Sequence, residues 1–188
     1  MSRVVAGAAR GRRLAAPPGH ATRPTSDRAR EGLFSTLTSL YGSLAGTRVL
    51  DLFAGSGAIG LEALSRGAAH AVLVESEPTV ARVIRANVGA VGLPGAEVVL
   101  ATVERFVTGR PPAEPYDVVV LDPPYAVPDD DVRRVLEALL AGGWLAAEAV
   151  AVVERAARGG DFVWPPGCVA ERSRRYGEAT LWYGRAAP

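Results

Sequence analysis

The stretch RVLDLFAGSGAIG, residues 48 to 60, constrains the fold of this chain more than any other part of it. An apolar run ends at Asp51, and the glycines that follow are spaced G-x-G-x-x-G. Such a loop connects a buried strand to a helix and turns backbone N–H groups, here those of Gly55, Ser56 and Gly57, toward a ligand. The stretch therefore predicts a βαβ unit with a ligand site at the carboxyl end of its first strand.

Short apolar runs alternate with segments of helical periodicity along the rest of the chain. The runs predicted as strands are Arg48 to Phe53, Ala71 to Glu75, Glu97 to Leu100, Asp117 to Leu121 and Ala149 to Val153. Apolar residues from Val80 to Val91 predict a helix with Ser76 as its N-cap and Pro78 in its first turn. A second helix covers Val132 to Leu140, with three aspartates at its positive end. This alternation predicts an α/β fold with a mostly parallel sheet and helices on both faces.

The two ends of the chain predict smaller structures. Residues 168 to 184 predict an antiparallel hairpin at one end of the sheet. Arg3 to Ala6 and Arg12 to Ala16 predict a second, small hairpin. The helix expected after it has an apolar face formed by Leu33, Phe34, Leu37, Leu40 and Tyr41. We divide the chain into a basic β-hairpin arm, residues 1–22, and a main domain, residues 23–188.

Length and composition fit one soluble domain. The chain has 188 residues, 48% of them hydrophobic, which is enough for a substantial core. Its best candidate for a membrane span, Trp144 to Val153, is shorter than the ~20 residues required and contains Glu148. The N-terminus lacks the apolar segment of a signal peptide, and the one cysteine, Cys168, cannot form an intramolecular disulfide. We expect a cytoplasmic protein without membrane contact, with a monomer as the default state.

The positive charge of the chain is concentrated at its start. The net charge is +1, yet the first thirty residues hold seven arginines and one acid. Clustered arginines suit the phosphates of a nucleic acid. Taken alone, this cluster fits a nucleic-acid contact and a solvated tail equally well.

Three predicted strands end at acids, namely Asp51, Glu75 and Asp122. Ligands of open α/β sheets lie beyond the carboxyl ends of the strands, so these acids are candidate site residues. The glycine loop and Glu75, which can accept hydrogen bonds from a ribose, suit NAD and S-adenosylmethionine equally. Asp51 favours S-adenosylmethionine, because an acid repels a pyrophosphate and attracts the ammonium and sulfonium groups of that cofactor.

The stretch VVVLDPPYA, residues 118 to 126, adds a second half to this site. A buried strand runs into two prolines, which favour an extended backbone at Asp122 and Pro123 with their carbonyls pointing into the cleft. The Asp122 carboxylate and the Pro123 carbonyl are acceptors, and Tyr125 adds an aromatic face. Together they predict a receptor for a planar base that bears an amino group.

Five segments resemble, in order and spacing, the RsmD family of bacterial 16S rRNA guanine-N2 methyltransferases. They are RVVAGAARGRRL, TRPTSDRAREGLFSTL, DLFAGSGAIGLEALSRGA, LDPPYA and RRYGEATL. The glycine loop and DPPY are common to class I methyltransferases of exocyclic amines, whereas Thr22 to Glu31 is specific to the rRNA family. The resemblance implies a Rossmann-like class I methyltransferase fold with a seven-stranded sheet, and S-adenosylmethionine as the cofactor.

The resemblance also implies a role for individual positions. Those around the methionine part and the ribose of the cofactor are Asp51, Phe53, Gly55, Gly57 and Glu75. Those that receive the guanine are Asp122, Pro123 and Tyr125. Asn87 also falls where relatives have asparagine. The chain departs from the family at Ala101, where relatives often carry Asn or Asp, so the adenine is expected to contact the Thr102 hydroxyl or the Val103 backbone.

The resulting hypothesis is direct methyl transfer to N2 of a guanine in 16S rRNA, expected within the assembled or assembling 30S subunit, without a metal or a covalent enzyme intermediate. The arginines expected to contact RNA are Arg10, Arg12, Arg13, Arg23, Arg28 and Arg30. For Arg28 and Arg30, an ion pair with Asp27 or Glu31 is the alternative interpretation.

Three other functions share part of this pattern. A methyltransferase of DNA amines or of a protein glutamine would use the same DPPY pocket. A NAD-dependent oxidoreductase would explain the glycines and leave Asp51 and DPPY without a role. A noncatalytic RNA-binding protein would explain the arginines and not the acids at the strand ends.

Overall fold

The computed structural model of the chain describes residues 2–18 and 26–188. In this part of the chain the strands are β1 (Ser2–Arg3), β2 (Arg13–Leu14), β3 (Arg48–Leu52), β4 (His70–Glu75), β5 (Ala96–Leu100), β6 (Tyr116–Leu121), β7 (Leu145–Ala156), β8 (Cys168–Tyr176) and β9 (Ala179–Ala186). The pair β1 and β2 forms a small antiparallel sheet. The other seven form one sheet with the order β5-β4-β3-β6-β7-β9-β8.

This main sheet is parallel from β5 to β7, and β9 is antiparallel to both β7 and β8. The helices that cover it are α1 (Asp27–Tyr41), α2 (Ala58–Ser65), α3 (Pro78–Val91), α4 (Val103–Val107) and α5 (Asp129–Ala141). The predicted α/β fold is confirmed, including the seven-stranded sheet and both hairpins.

Side chains of the central strands alternate between two cores. Val118 and Val120 of β6 pack in the core beneath α1, α2 and α3, whereas Val119 and Leu121 pack against α4 and α5. A strand buried on both faces is the expected form of a parallel sheet. Because β3 lies between β4 and β6, the crossovers leave it in opposite directions, and a crevice opens beyond the carboxyl ends of β3 and β6.

The N-terminal arm is packed on the main domain. Val4, Ala9 and Leu14 are buried in the same core as α1 and α2. The strands of the arm are shorter than predicted, because the backbone between them contacts α2 instead of its partner strand. The domain boundary predicted at residue 22 lies outside the described residues and stays a prediction.

Two predicted boundaries are wrong for local reasons. The N-cap of α3 is Glu77 and not Ser76, since Pro78 takes the first helical position and holds the preceding residue extended. Strand β7 begins at Leu145, four residues earlier than predicted, and an irregularity in its register with β6 follows Tyr116.

None of the helices in the described segments is long and apolar enough to cross a membrane.

Candidate active site

The glycine loop begins where β3 ends. Phe53 has a φ of +62°, which is rare for a residue with a side chain, and Gly55 and Gly57 have φ values of +57° and +79°. Strained backbone of this kind is typical of ligand loops. The ladder continues past the strand ends, since Ala54 N–H donates to the Val74 carbonyl at 3.0 Å and Asp122 N–H to the Leu52 carbonyl at 3.4 Å.

Glu75 holds the loop in place. One of its carboxylate oxygens accepts from the Gly55 N–H at 3.0 Å, and the other accepts from the Glu77 N–H at 3.0 Å. A carboxylate oxygen can accept more than one hydrogen bond, and the side chain is only partly buried. Glu75 can therefore support the loop and receive ribose hydroxyls at the same time.

Asp51 lies beneath the loop, with 1% of its surface exposed. Its Oδ2 accepts from the Gly60 N–H at 2.9 Å, at the start of α2. Burial raises the pKa of Asp51 well above its ordinary value; the Gly60 hydrogen bond opposes the rise, while the charges of Asp122 and Glu75 add to it. Asp122 and Glu75 are thus each close enough to Asp51 to repel its charge, and a cation bound beside Asp51 would relieve that repulsion.

The DPPY segment lies on the other side of the crevice. Pro123 is buried, and Tyr125 is 53% exposed at the mouth of a cavity of about 200 Å³ that Ala156, Arg158 and Glu178 also line. An exposed aromatic ring at the edge of a cavity can stack on a base.

Arg155 of β7 anchors the segment that follows Tyr125. Its guanidinium donates to the Val127 carbonyl at 2.6 Å and pairs with Asp129 at 2.6 Å. The loop that presents the tyrosine is therefore fixed to the sheet at its far end.

Comparisons with known proteins agree on one family. The family model described as conserved hypothetical protein 95 matches residues 2–185. The chain is 38% identical to ribosomal RNA small subunit methyltransferase D of Escherichia coli K12 over 152 residues, which are 81% of this chain and 73% of that protein. The chain belongs to this family, the RsmD family.

Solved structures give the same answer at the level of the whole fold. The Escherichia coli protein YhhF superposes with a TM-score of 0.84, is 32% identical and covers 99% of this chain with 98% of its own. A hypothetical protein from Thermus thermophilus has a TM-score of 0.78 and 36% identity, with 97% and 98% of the two chains covered. The fold and the RsmD family predicted from the motifs are confirmed.

Asn87 connects the arm of this RsmD-family chain to its glycine loop. The side chain is buried; its Oδ1 accepts from the Ala15 N–H at 2.8 Å, and its Nδ2 donates to the carbonyls of Ala15 at 3.0 Å and Ser56 at 2.8 Å. One amide thus satisfies backbone groups from both segments. The arm and the glycine loop are therefore held at a fixed distance from each other.

Helix α2 supplies the second attachment of the arm. The buried carboxylate of Glu62 accepts from the N–H groups of Val5 at 2.7 Å and Ala6 at 3.0 Å. Ser65 donates to the Ala6 carbonyl and accepts from the Ala9 N–H. A Cβ on Gly7 would lie 1.8 Å from the Ser65 carbonyl oxygen, so only glycine fits there. Residues 5 to 9 of the arm are thus held against α2 by their backbone and do not form a loose tail.

The structure contradicts one of the predicted RNA contacts, that of Arg30. Its side chain has no exposed surface and lies 3.6 Å from Glu62, and it donates to Asp27 at 2.9 Å and to the Arg3 carbonyl. A guanidinium enclosed in this way cannot reach a phosphate, so the prediction for Arg30 is wrong. The predicted contacts with exposed side chains are Arg10, Arg12, Arg13 and Arg28. Arg23 lies outside the described residues.

Thr102 and Val103 form the start of α4, beside the end of β5. The Thr102 hydroxyl accepts from the Arg105 N–H at 3.3 Å as the N-cap, which leaves its own O–H free to donate in another direction. The Val103 N–H belongs to the first turn, whose donors have no intrahelical acceptor. Both groups keep the predicted ability to contact an adenine, and those contacts stay a prediction.

Glu154 is a further acid close to Tyr125, and it is not among the residues predicted for the site. It follows the run Ala149 to Val153, is 6% exposed, and its charge acts on the hydroxyl of Tyr125. The pKa of Tyr125 is raised by burial first and then by the charges of Glu154, Asp122 and Glu178. The rule that singled out the other three acids, an acid directly after a predicted strand, would also have found this one.

Other chemically capable residues lie apart from this crevice. Burial raises the pKa of the Cys168 thiol to about 11, so little thiolate exists at neutral pH. Among residues 2–18 and 26–188, no group of three or more His, Cys, Asp and Glu side chains is placed to hold a metal ion.

Proposed function

We propose that this protein transfers the methyl group of S-adenosylmethionine to the exocyclic N2 amine of a guanine in 16S rRNA. The observation that carries the proposal is the convergence of Asp51, Glu75 and Asp122 around the glycine loop, next to Tyr125, in a member of the RsmD family. An acidic crevice beside an aromatic ring suits a cationic methyl donor and an amino-bearing base.

The cofactor is oriented by four groups of contacts. In the glycine loop the N–H groups of Gly55 and Gly57 donate to Glu75 and to the Ala54 carbonyl, so the predicted contact with the carboxylate of the cofactor stays with the Ser56 N–H. The Asp51 charge beneath the loop stabilises the ammonium and sulfonium groups. Glu75 accepts the ribose hydroxyls. Thr102 and Val103 contact the adenine in place of the acidic or amide side chain found in relatives. The pyrophosphate of NAD would meet the same three carboxylates and be repelled, which disfavours the oxidoreductase alternative.

The chemical step is a direct displacement. Bound S-adenosylmethionine would supply an electrophilic methyl group to the lone pair of N2, and S-adenosylhomocysteine would leave with the electron pair of the broken S–CH₃ bond. The Asp122 carboxylate and the Pro123 carbonyl accept the two amino hydrogens, which localises the lone pair and stabilises the positive charge that grows on N2. The amine then loses one proton to Asp122 or to water. Tyr125 stacks on the base once it has left the RNA helix.

The exposed arginines of the arm and of α1 provide the RNA contact. Arg10, Arg12, Arg13 and Arg28 carry solvent-exposed guanidinium groups on an ordered backbone, and Arg23 belongs to the same segment of sequence. Contacts to phosphates fix placement without reading sequence, so the pocket around Asp122 selects the base. The substrate is 16S rRNA in the 30S subunit, which places the reaction in the cytoplasm, with the enzyme as a monomer.

The proposal is tested with 30S subunits that lack their native methylation. The protein is incubated with these subunits and S-adenosylmethionine labelled in the methyl group, and the RNA is digested to nucleosides. We expect the label in N2-methylguanosine at one position. Parallel reactions contain naked 16S rRNA, duplex DNA and ribosomal protein. Label only in DNA or in protein would refute the rRNA substrate, and label in a different nucleoside would refute the N2 assignment.

A further inference from the structure

The pairing of β6 with β7 places a second carboxylate beside Asp122. In this parallel pair Val120 lies opposite Val152 and Leu121 lies opposite Val153. The next residues along the two chains are Asp122 and Glu154. Neighbouring residues of paired parallel strands are about 5 Å apart, and the two acids therefore stand side by side at the carboxyl edge.

Both acids point to the same face of the sheet. Val120 and Val152 pack in the core beneath α1, α2 and α3, and side chains two residues along a strand share a face. Asp122 and Glu154 are thus on that face, beyond the last valines. The charge of each acts on the hydroxyl of Tyr125, so both carboxylates lie near that side chain.

Glu154 places a carboxylate in a buried position. It is 6% exposed, it follows a run of buried residues from Ala149 to Val153, and its partner on β9 is the buried Leu181. Burial of a carboxylate is costly unless other groups compensate. A buried carboxylate next to Asp122 and near Tyr125 is placed to accept a hydrogen bond from a base bound there.

Guanine has hydrogens for both acids. Its Watson–Crick edge presents the N2 amino group and, next to it, the N1–H donor, whereas adenine has a lone pair at N1. The acceptors at Asp122 and Pro123 are already assigned to the amino hydrogens. We propose that the Glu154 carboxylate accepts the N1–H of the target guanine and thereby selects guanine over bases with a lone pair at N1.

This inference rests on the proposed function and explains how the site would select guanine over other bases. A site built to accept an N–H rejects an analogue that lacks it, because a buried acceptor then faces a lone pair. Glu154 is a substrate-binding residue in this arrangement, and the transfer step itself stays with Asp122 and Pro123.

The test compares two bases at the methylated position, once that position is mapped. Reconstituted 30S subunits carry there either guanine or 2-aminopurine, which keeps the N2 amine and has a lone pair at N1. We expect wild type to prefer guanine by kcat/KM about 10-fold to 100-fold. In Glu154→Gln the preference should collapse toward unity, because the amide can donate to N1 of 2-aminopurine. Glu154→Asp should keep the preference for guanine at a lower rate.

Two controls separate specificity from a structural defect. The Kd of S-adenosylmethionine should be the same for wild type and Glu154→Gln. Glu114→Gln, an exposed glutamate near the opposite edge of the sheet, should leave both kcat/KM values unchanged. If the role of Glu154 were merely structural, Glu154→Gln would lower kcat/KM on guanine and on 2-aminopurine by the same factor, and the ratio of the two values would not change.

The outcomes distinguish this inference from the proposed function. If wild type produces no N2-methylguanosine, the proposed function fails. If wild type produces it and Glu154→Gln keeps the wild-type preference, the role of Glu154 alone is refuted. Should Glu154→Gln not fold, wild type still decides: equal kcat/KM on guanine and 2-aminopurine overturns the inference, and a preference retained by Glu154→Asp supports it.

Discussion

The two edges of the parallel sheet are built from the same strands and have opposite electrostatics. At the amino edge, Arg48 at the start of β3 pairs with Glu114 at 3.5 Å and lies over the ring of Tyr116, with 5.4 Å to the centroid. His70 at the start of β4 lies 3.6 Å from Glu97. At this edge Glu114 pairs with a guanidinium, and Glu97 lies beside an imidazole whose pKa is lowered by burial, so each of these carboxylates has a nitrogen group beside it.

Around Asp51 at the carboxyl edge, carboxylates are gathered instead, and the pair of Arg155 on β7 with Asp129 lies beyond them. The two side chains that act on the charge of Asp51 are the carboxylates of Asp122 and Glu75, and both raise its pKa. An arrangement that costs folding free energy persists where function requires it. The difference between the edges supports the proposal that one set of strand ends serves the fold and the other binds a cationic ligand. Paired substitutions test this division.

The largest effect is expected at the two ends of β6. Asp122→Ala removes the acceptor for the amine, and we expect methyl transfer to fall by about 100-fold to 1000-fold with the Kd of S-adenosylmethionine nearly unchanged. Its match is Asp117→Ala at the amino edge, where Asp117 accepts from the Arg48 N–H and the Tyr41 hydroxyl. That variant should have a lower Tm and a normal rate. Equal loss of cofactor binding in Asp122→Ala and Glu75→Ala would contradict the division of roles.

A smaller effect is expected from two glutamates of β4 and β5. Glu75→Ala removes the ribose acceptor and the support of the Gly55 N–H, so we expect the Kd of S-adenosylmethionine to rise about 10-fold to 100-fold. Glu97→Ala, at the amino edge of β5, should change this Kd by less than about twofold, since it is distant from the crevice. Isothermal titration calorimetry measures both, and a similar loss in the two variants would remove the distinction between the edges.

Arginines allow the same comparison for RNA. Replacing both Arg12 and Arg13 by alanine should lower the slope of log K against log salt by about 0.7 to 0.9 per lost phosphate contact. Arg48→Ala, which removes a guanidinium already paired at the amino edge, should leave that slope unchanged. Filter binding of 16S rRNA over a range of salt concentrations provides the measurement. An unchanged slope in the arm variant would move the RNA contact elsewhere.

The sequence predicts those features that depend on neighbouring residues. The apolar runs of β3, β4 and β6 end in acids or turns, and each boundary lies within one residue of the predicted one. The positions of Glu75 and Asp122 at one edge follow from the parallel topology alone. Local patterns are sufficient here because strand ends in a parallel sheet share one edge whatever the details of packing.

Features that depend on distant residues were not predictable. Arg30 was expected on the surface, because its periodicity does not reveal that Glu62 of α2 and the carbonyl of Arg3 enclose it. Likewise, nothing local to Asn87 indicates that its amide bridges Ala15 and Ser56. In both cases a polar side chain is buried because tertiary contacts satisfy it, and composition gives no signal of such contacts.

Asp51 provides a test in which stability and function move in opposite directions. Its folded-state pKa lies above its unfolded value, so its contribution to stability is full at low pH and is lost as the pH rises through the folded-state pKa. Asp51→Asn keeps an acceptor for the Gly60 N–H and has no charge. The variant should gain stability over wild type as the pH rises above the ordinary pKa of an aspartate, by a few degrees in Tm, and should bind S-adenosylmethionine more weakly. A variant less stable than wild type at neutral pH would show that the acidic edge costs the fold nothing.

The smallest effect is expected at Cys168, which begins β8 at the amino edge of the sheet. The thiol packs near Gly184 and Trp164, since a Cβ on Gly184 would lie 2.9 Å from Sγ and 2.8 Å from the ring. With the pKa raised from 9.0 to about 11, the thiolate fraction at pH 8 falls by about 100-fold, so alkylation should be slower than in urea and accelerate up to pH 11. Cys168→Ala should leave methyl transfer within about twofold, because a thiol at this edge has no access to the reacting atoms. Rapid alkylation of the folded protein at pH 8 would contradict the raised pKa of the thiol. Loss of methyl transfer in Cys168→Ala would show that the amino edge of the sheet takes part in the reaction.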